Sequence, residues 1–372
     1  MREIRVLVTD DSAVIRQMIS DFIDKEPGMK VVGKAKNGRE LLELLPTVKP
    51  DVVTLDIQMP GMDGLAALEE IMRQFPLPVI MVSTLTQRGA TISFEALDKG
   101  AFDYIAKPER GTQENDQFRV ELLQKIRLAA GADIQRILAI RQAHKRRVAS
   151  ATAALQTPVA KSGEAPLSLG KAVIAIGIST GGPPALGRLF SELAPPMPPI
   201  LVVQHMPPNF TKALSWRLNS LSPLTVKEAE HGDLLRPNHV YIAPGGIHME
   251  VIRSGMGPQI VLRQGQPVSG HKPSVDVMMT SAARLFSPRI LGVIMTGMGR
   301  DGVEGCRAIR DAGGFVLGQD EASSDVYGMN KAAFVQGYVD RQFHLSEAAS
   351  VINAFVREQW LGEKAVPLAG KC

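Results

Sequence analysis

The sequence predicts an α/β protein with two domains, each built on a mostly parallel sheet. In both halves of the chain, short apolar and β-branched runs alternate with amphipathic stretches of helical length. A stretch of small, polar and proline residues separates the two halves. A chain of 372 residues, 45% of them hydrophobic, is long enough to bury two cores of ordinary size. Because strands that alternate with helices pair in parallel, we expect helices on both faces of each sheet.

The first domain is assigned to residues 1–125. Amphipathic helical patterns such as 13–24 and 65–74 lie between its strands. Five strands are predicted, at 4–9, 30–35, 51–56, 78–83 and 102–107. A long helix is predicted over 114–147, apolar on one face and ending in the basic sequence HKRR. We therefore assign residues 126–168 to a basic helix and a flexible linker, since the second half of this segment is small, polar and contains proline.

The second domain is assigned to residues 169–360, followed by a C-terminal tail at 361–372. Helical patterns lie between several of its strands, notably 276–286 and 302–312, where AGG is typical of a helix C-terminus. Six strands are predicted, at 171–177, 199–205, 239–244, 259–264, 290–297 and 314–320. We expect a doubly wound, mostly parallel sheet, in which functional residues gather where strands end and loops begin.

Composition and charge narrow the function classes. The net charge is +4, but residues 125–147 carry seven Lys or Arg against one Asp, so the rest of the chain is slightly acidic. A basic balance confined to one segment disfavours a nucleic-acid-binding face. The two cysteines, Cys306 and Cys372, provide no disulfide framework, and no apolar run reaches the roughly 20 residues of a membrane helix. We therefore expect a cytoplasmic protein that binds no nucleic acid and does not insert into a membrane.

Acidic residues follow two strands of the first domain. Asp10 and Asp11 come after the first strand, Asp56 ends the third, and Lys107 ends the fifth. Since parallel strands bring these ends to one edge of the sheet, three carboxylates are crowded there and favour a hard cation such as Mg²⁺. With Mg²⁺ and Lys107 neutralising an incoming phosphoryl group, Asp56 is predicted to attack phosphorus and form an aspartyl phosphate.

A hydroxyl and an aromatic residue complete this pattern. Thr84, after the fourth strand, is placed to hydrogen-bond the new phosphoryl oxygens, and Tyr104 is expected to move with it. With the acidic pair, the motif LDIQMPGMDG and the dipeptide KP, residues 1–125 closely resemble the response-regulator receiver domain. The resemblance implies a flavodoxin-like (βα)₅ fold that is phosphorylated on Asp56 by a histidine-kinase partner.

The resemblance also implies how the metal is held. By analogy, Asp11, Asp56 and the backbone carbonyl of Gln58 bind Mg²⁺, with Asp10 nearby. It further suggests a cis peptide bond between Lys107 and Pro108.

In the second domain, the stretch IGISTGG places Ser179 between an apolar run and a helical pattern. G-x-S-x-G between a strand and a helix is typical of a nucleophile elbow. A phosphate-binding loop is the competing interpretation, but it requires G-x-x-x-x-G-K-[ST] or G-x-G-x-x-G, and this stretch has neither. Taken alone, the pattern fits a structural serine at a helix start equally well, so the partners of Ser179 must decide.

A serine nucleophile needs a base, and the base needs an acid. Of the seven histidines, only His205 ends a strongly apolar strand, as Ser179 does, and it is the best candidate base. Asp301, after the strand in GVIMTGMGRDG, is the candidate acid; the alternative is that it caps the helix that follows. The chain order Ser–His–Asp differs from the Ser–Asp–His order of common α/β hydrolases, which favours a separate family.

Residues 169–360 closely resemble the CheB-type protein-glutamate methylesterase domain. The motifs that carry the resemblance are IGISTGGPPAL, VVQHMPPNF, YIAPGGIHM, GHKPSVDVM, VIMTGMGRDG and QDEASSDVYGMNKAA. It implies that Ser179 is the nucleophile, His205 the base and Asp301 its orienting acid. It also implies that the Met298 backbone N–H helps to form the oxyanion hole and that Thr180 supports the base.

Two residues depart from the family pattern. Arg300 stands where a small residue is common, and Asn330 where proline is common. Both are expected to flank the substrate cleft and to affect receptor preference, without affecting the triad.

The family implies hydrolysis of γ-glutamyl methyl esters on chemoreceptors with release of methanol, and in some members deamidation of receptor glutamines. No cofactor is expected for ester hydrolysis. The pairing with a receiver suggests the hypothesis that the unphosphorylated receiver covers the catalytic cleft and that phosphorylation of Asp56 loosens it. Two other classes stay open: a non-enzymatic output domain that only binds a partner, and a transcription factor, although no helix-turn-helix pattern follows the basic stretch.

Overall fold

The computed structural model describes residues 2–108, 112–141 and 166–362. The chain divides into two compact units, Met1–Ala151 and Thr152–Cys372. Each unit has its own parallel sheet; helices lie between all successive strands of the first unit and between most of those of the second. The predicted α/β fold class is therefore confirmed. No helix in the described ranges is long and apolar enough to cross a bilayer.

The first unit has a five-stranded parallel sheet in the order β2-β1-β3-β4-β5. This is the flavodoxin-like order expected from the receiver resemblance. The strands are β1 (Ile4–Thr9), β2 (Met29–Ala35), β3 (Val52–Asp56), β4 (Val79–Ser83) and β5 (Asp103–Ala106). The helices are α1 (Ala13–Asp24), α2 (Gly38–Val48), α3 (Gly64–Gln74), α4 (Gln87–Lys99) and α5 (Thr112–Ala130). Strands β3 and β4 are buried along their whole length, because helices cover both faces of the sheet.

The predicted single helix over 114–147 is wrong. Helix α5 ends at Ala130, and a new helix, α6, covers 134–141, where this part of the described chain stops. Gly131 weakens the helix at the break, and the side chain of Asp133 accepts a hydrogen bond from a backbone N–H in the first turn of α6. The apolar face continues across the break, and for that reason periodicity alone did not reveal it.

The predicted basic helix end and linker lie mostly outside the described residues, which resume at 166. There a short 3₁₀ helix, Leu167–Lys171, leads into the second unit. In the first unit, the Lys107–Pro108 bond is not among the cis peptide bonds of the described chain, so that expectation is also wrong.

The second unit has a seven-stranded parallel sheet in the order β14-β13-β12-β6-β7-β9-β8 and a separate antiparallel pair, β10-β11. The strands are β6 (Val173–Ile178), β7 (Ile200–Gln204), β8 (Thr225–Glu228), β9 (His239–Ile242), β10 (His248–Ser254), β11 (Gly257–Arg263), β12 (Ile290–Ile294), β13 (Phe315–Gln319) and β14 (Arg341–Phe343). The helices are α7 (Gly182–Glu192), α8 (Phe210–Leu221), α9 (Val275–Phe286), α10 (Val303–Asp311), α11 (Met329–Val335) and α12 (Ala348–Val356). The three central strands β12, β6 and β7 are fully buried.

Three strands of this unit were not predicted: β8, β10 and β14. Strands β8 and β14 are the two edges of the sheet and are only partly buried, so they lack the continuous apolar run of a central strand. The predicted strand at 259–264 exists as β11, but it pairs with β10 outside the main sheet. Pairing of this kind depends on contacts that a local pattern does not contain.

Candidate active site and candidate phosphorylation site

Ser179 lies at a sharp turn between β6 and α7. Its N–H donates to the carbonyl of Thr296 at 2.9 Å, and its own carbonyl accepts from the Gly182 N–H at 2.8 Å. Gly181 has a left-handed backbone with φ +79°, and a Cβ there would lie 2.7 Å from the side chain of Asp325. The glycines therefore allow the tight turn that holds Ser179 at the carboxyl end of the sheet.

His205 lies beside Ser179 on the neighbouring strand. In the parallel pairing of β6 and β7, Ile178 lies opposite Gln204. Ser179 follows Ile178 and His205 follows Gln204, so the two residues lie at adjacent strand ends. The His205 N–H also donates to the Ile178 carbonyl at 3.1 Å. The buried amide of Gln204 donates to the carbonyls of both Ser179 and His205, at 3.0 Å each. Gln204 thus ties the backbone of the two residues together, a role that sequence analysis missed because an amide at a strand end carries no motif.

Asp301 contacts the His205 ring from the far side. His205 Nε2 and Asp301 Oδ2 are 2.8 Å apart, and Asp301 is fully buried. The Asp301 carboxylate also accepts from the Ser274 hydroxyl at 2.8 Å and from the N–H groups of Val275 and Asp276 at 2.7 and 3.0 Å. Asp301 therefore caps the N-terminus of α9, not the helix that follows it in sequence.

The helix that follows Asp301, α10, is capped in return by Asp276. Asp276 Oδ1 accepts from the N–H groups of Gly302 and Gly305, at 2.8 Å each. Two carboxylates thus exchange helix caps across α9 and α10. This exchange fixes the position of Asp301 more firmly than a cap of its own helix would, because it ties together two elements about 25 residues apart in sequence.

The two carboxylates titrate differently. Burial raises the pKa of Asp301, but the hydrogen bonds from His205 and from the α9 backbone outweigh burial and leave this pKa below its ordinary value. Burial raises the pKa of Asp276 to about 6, with the neighbouring charge of Asp301 acting in the same direction. Asp301 therefore stays an anion at neutral pH and holds the proton of His205 on Nε2.

The other ring nitrogen of His205, Nδ1, is buried and has no hydrogen-bond partner among the described residues. Since Asp301 occupies Nε2, Nδ1 is the nitrogen that is left to accept a proton. The His205 ring is also stacked on the ring of His271, with centroids 3.7 Å apart and planes 7° from parallel. Sequence analysis passed over His271 as one of several loop histidines.

Met298 follows a backbone segment that lies directly against Ser179. A Cβ on Gly297 would lie 2.6 Å from the Ser179 Cβ, so only glycine fits there. The N–H of Met298 donates no hydrogen bond within the part of the chain that the structure describes. Thr180 follows Ser179 in the sequence. Its carbonyl accepts a hydrogen bond from the Thr296 hydroxyl at 2.9 Å, and no hydrogen bond joins Thr180 to His205 in the described chain.

The two residues that depart from the family pattern, Asn330 and Arg300, differ in their burial. Asn330 is fully buried, and its amide donates to the Gln319 carbonyl and the Ser324 hydroxyl at 2.8 Å each. Its buried side chain holds the loop between β13 and α11. Arg300 is exposed immediately before Asp301 and has no ion-pair partner in the described ranges.

In the first unit, the acidic residues and the lysine meet at one edge of the sheet. Lys107 Nζ lies 2.9 Å from Asp10 Oδ2 and 3.0 Å from Asp56 Oδ2. One carboxylate oxygen from each of Asp10, Asp11 and Asp56 lies within 4.8 Å of the others. Three hard oxygen donors at this spacing fit a divalent cation such as Mg²⁺.

The surroundings of Asp56 raise the pKa of its carboxyl group. Burial raises its pKa to about 6; Lys107 lowers it, and the negative charge of Asp10 raises it. Burial also lowers the pKa of Lys107, but the two carboxylates outweigh burial and raise this pKa above its ordinary value. A divalent cation would relieve the repulsion between the carboxylates.

The remaining predicted residues of this unit surround that edge. Thr84 is exposed after β4, with its hydroxyl 3.4 Å from that of Thr86. Tyr104 points into the unit, 4% exposed, and its ring meets Phe94 edge to face at 6.2 Å. The Gln58 N–H lies 3.5 Å from Asp56 Oδ1, and Gln58 lines a cavity of about 330 Å³ with Asp11 and Arg88 among others.

Two family models match the chain, one for each unit. The response regulator receiver domain matches residues 6–115, and CheB methylesterase matches residues 174–352. The class of protein is therefore a response regulator whose second domain is a methylesterase-type α/β domain.

Curated relatives match nearly the whole chain. A protein-glutamate methylesterase/protein-glutamine glutaminase of Pectobacterium atrosepticum is 42% identical over 94% of this chain and 96% of its own length. A protein of Caulobacter vibrioides with the name protein-glutamate methylesterase/protein-glutamine glutaminase 1 is 43% identical over 95% of this chain and 98% of its own length. The solved catalytic domain of Thermotoga maritima CheB methylesterase is 38% identical and covers 49% of this chain and 97% of that structure, with a TM-score of 0.48. On the curated relatives, the chain belongs to the protein-glutamate methylesterase/protein-glutamine glutaminase family.

Proposed function

We propose that this protein hydrolyses γ-glutamyl methyl esters on chemoreceptors, with Ser179 as nucleophile, His205 as base and Asp301 as orienting acid. The observation that carries the proposal is the state of the His205 ring. Asp301 occupies Nε2 at 2.8 Å, and Nδ1 is left without a partner at the strand end next to Ser179. A protein that only bound its partner would have no use for a buried anion, an oriented imidazole and a serine at adjacent strand ends.

The reaction follows from these positions. Nδ1 of His205 takes the proton of the Ser179 hydroxyl as the oxygen attacks the ester carbonyl. Asp301 stabilises the imidazolium, and the Met298 N–H, which has no partner in the described chain, donates to the developing oxyanion.

The imidazolium of His205 then gives its proton to the departing methoxide, and methanol leaves. Water, deprotonated by the same nitrogen, attacks the acyl-enzyme and releases the glutamate carboxylate. These steps balance in protons and electrons with side chains and water alone, and we propose no cofactor for them.

Deamidation of glutamine follows the same path. A glutamine amide gives the same acyl-enzyme, with ammonia leaving instead of methanol. The relatives carry both activities in their name, which is the reason to include this second reaction.

We further propose that Asp56 is the phosphorylated residue and that a histidine kinase is the phosphodonor. Asp10, Asp11, Asp56 and the carbonyl of Gln58 would hold Mg²⁺, which neutralises charge on an incoming phosphoryl group when bound. Lys107, 3.0 Å from Asp56, would pair with a phosphoryl oxygen.

Thr84 and Tyr104 would relay the modification. The Thr84 hydroxyl lies at the surface, 3.4 Å from that of Thr86, and Tyr104 is packed against Phe94 on the inner side. Through this change, phosphorylation is proposed to raise the esterase activity. A cytoplasmic location is part of the same proposal, since the proposed substrates are the cytoplasmic helices of chemoreceptors.

The direct test is release of methanol from methylated chemoreceptor membranes. Ser179→Ala is expected to reduce release by at least about 10³-fold, because the nucleophile is lost. Ser220→Ala removes an exposed serine hydroxyl that donates to the Arg217 carbonyl of its own helix, and it should retain full activity. Undiminished release by Ser179→Ala would instead support a binding module whose apparent activity comes from a contaminant.

A further inference from the structure

The ring of His271 lies flat against the ring of the proposed base, with centroids 3.7 Å apart and planes 7° from parallel. His271 itself is held by a tight turn. Its N–H donates to the Val268 carbonyl at 2.9 Å, and its carbonyl accepts from the Val268 N–H at 3.0 Å. The two residues between them, Ser269 and Gly270, have φ +52° and +81°. Positive φ at both central positions is the geometry of a type I′ turn, so His271 sits at a well-defined place beside His205.

The same segment also holds the acid. Three residues after His271, Ser274 donates its hydroxyl to Asp301, and Val275 donates its N–H. One stretch of chain, 268–276, therefore supports the His205 ring in two ways: it provides the ring stacked on its face, and it positions the Asp301 carboxylate that binds Nε2.

We propose that His271 is a positioning residue: its ring holds the His205 imidazole in the plane in which Nε2 meets Asp301 and Nδ1 is left to accept the proton of Ser179. This inference rests on the proposed esterase function. The reason is geometric. One hydrogen bond fixes one atom of a ring but leaves the plane free to tilt, and Nδ1 has no partner in the described chain to fix it. A flat ring in van der Waals contact supplies the missing constraint.

The positioning role requires an uncharged ring. Burial, together with the nearby His205, lowers the pKa of His271 to about 4 against the opposing effect of Asp301. The titratable groups that act on His271 are His205 and Asp301. The adjacent Lys272 directs its ammonium to the Gly265 carbonyl, and the His248 ring on β10 accepts from the Ser274 N–H. His271 is therefore neutral at working pH, and it presents a π face instead of a second cation to the imidazolium that forms during catalysis.

Two substitutions of His271 distinguish the effect of a flat ring from the effect of the imidazole nitrogens. His271→Phe keeps a flat neutral ring, whereas His271→Ala removes it. We expect kcat/KM for methanol release to fall by less than about threefold in His271→Phe and by about tenfold in His271→Ala, from the usual size of aromatic ring contacts. The loss in His271→Ala should appear in kcat with KM unchanged, because substrate binding does not use this ring. His231→Ala, at an exposed histidine, is the matched control and should show no loss.

Two further measurements exclude a merely structural effect. In a His205→Ala background, adding His271→Ala should cause no additional loss, since there is no base left to orient. The acid limb of the pH–rate profile of His271→Phe should coincide with that of the wild type between about pH 5 and 8, because His271 is uncharged there.

The outcomes are distinguishable. Wild-type activity in His271→Ala, or an inactive but folded His271→Phe, would overturn the positioning role; the second result would mean that the imidazole itself takes part in the chemistry. Failure of the proposed function looks different: the wild type would release no methanol, and a fluorophosphonate probe would not label Ser179. If His271→Ala does not fold, the result for His271→Phe and its pH profile still decide.

Discussion

Asp301→Asn is the substitution for which the structure gives the most definite expectation. Both carboxylate oxygens of Asp301 are acceptors: Oδ1 binds the Ser274 hydroxyl and the Asp276 N–H, and Oδ2 binds His205 and the Val275 N–H. An asparagine has one oxygen, so its amide N–H groups must face two of these donors. If the amide nitrogen takes the place of Oδ1, the Asp276 N–H loses its acceptor. If it takes the place of Oδ2, the Val275 N–H loses its acceptor and the ring of His205 must present an unprotonated Nε2 and carry its proton on Nδ1.

The second arrangement removes the base. With the proton on Nδ1, His205 has no lone pair left to accept the proton of Ser179, and the loss in kcat should approach about 10⁴-fold, as for other triads held in the wrong tautomer. An unpaired buried N–H also costs about 1–3 kcal/mol of the free energy of unfolding. We therefore expect a folded, moderately destabilised protein with almost no esterase activity.

Asp276→Asn is the matched control. Asp276 uses one oxygen, Oδ1, for both helix-cap bonds, and its other oxygen contacts the Ser269 hydroxyl. Asparagine preserves this pattern, because its oxygen accepts both N–H groups and its amide donates to the hydroxyl. Methanol release and urea unfolding of both variants, at pH 7.5, provide the comparison. If Asp301→Asn kept activity within tenfold of the wild type, or if Asp276→Asn lost as much, the assignment of Asp301 as orienting acid would be refuted.

Two predictions concern the receiver. Asp56→Asn should abolish the rise in esterase activity that a small-molecule phosphodonor and Mg²⁺ cause in the wild type. The control Asp63→Asn keeps its helix-cap bond to the Ala66 N–H and should respond like the wild type. A response in Asp56→Asn would mean that another group is phosphorylated. Without a bound cation, burial raises the pKa of Asp56 to about 6. The same shift means that the folded receiver binds a proton more tightly than the unfolded chain. Stability from this group is therefore lost as pH rises from about 4 through 6, and Asp56→Asn should raise the free energy of unfolding in EDTA at pH 7.5 by about 1–3 kcal/mol, measured by urea unfolding.

The sequence by itself determined the fold class and the strand ends at which Ser179, His205 and Asp56 lie. Buried parallel strands are continuous apolar runs, and a polar residue that interrupts such a run marks the edge of the sheet. The edge strands β8 and β14 and the break after Ala130 escaped this reasoning, because half-buried strands and an apolar face that continues through Gly131 carry weak periodic signals.

Only the tertiary structure decided how the candidate residues contact one another. It assigned Asp301 to the N-terminus of α9 instead of its own helix, left Nδ1 of His205 as the unpartnered nitrogen within the described chain, and stacked His271 on the ring of His205. It also buried the side chain of Asn330 inside the unit. Each of these contacts depends on side chains meeting across elements distant in sequence, whereas periodicity and motifs report only on residues that are near neighbours along the chain.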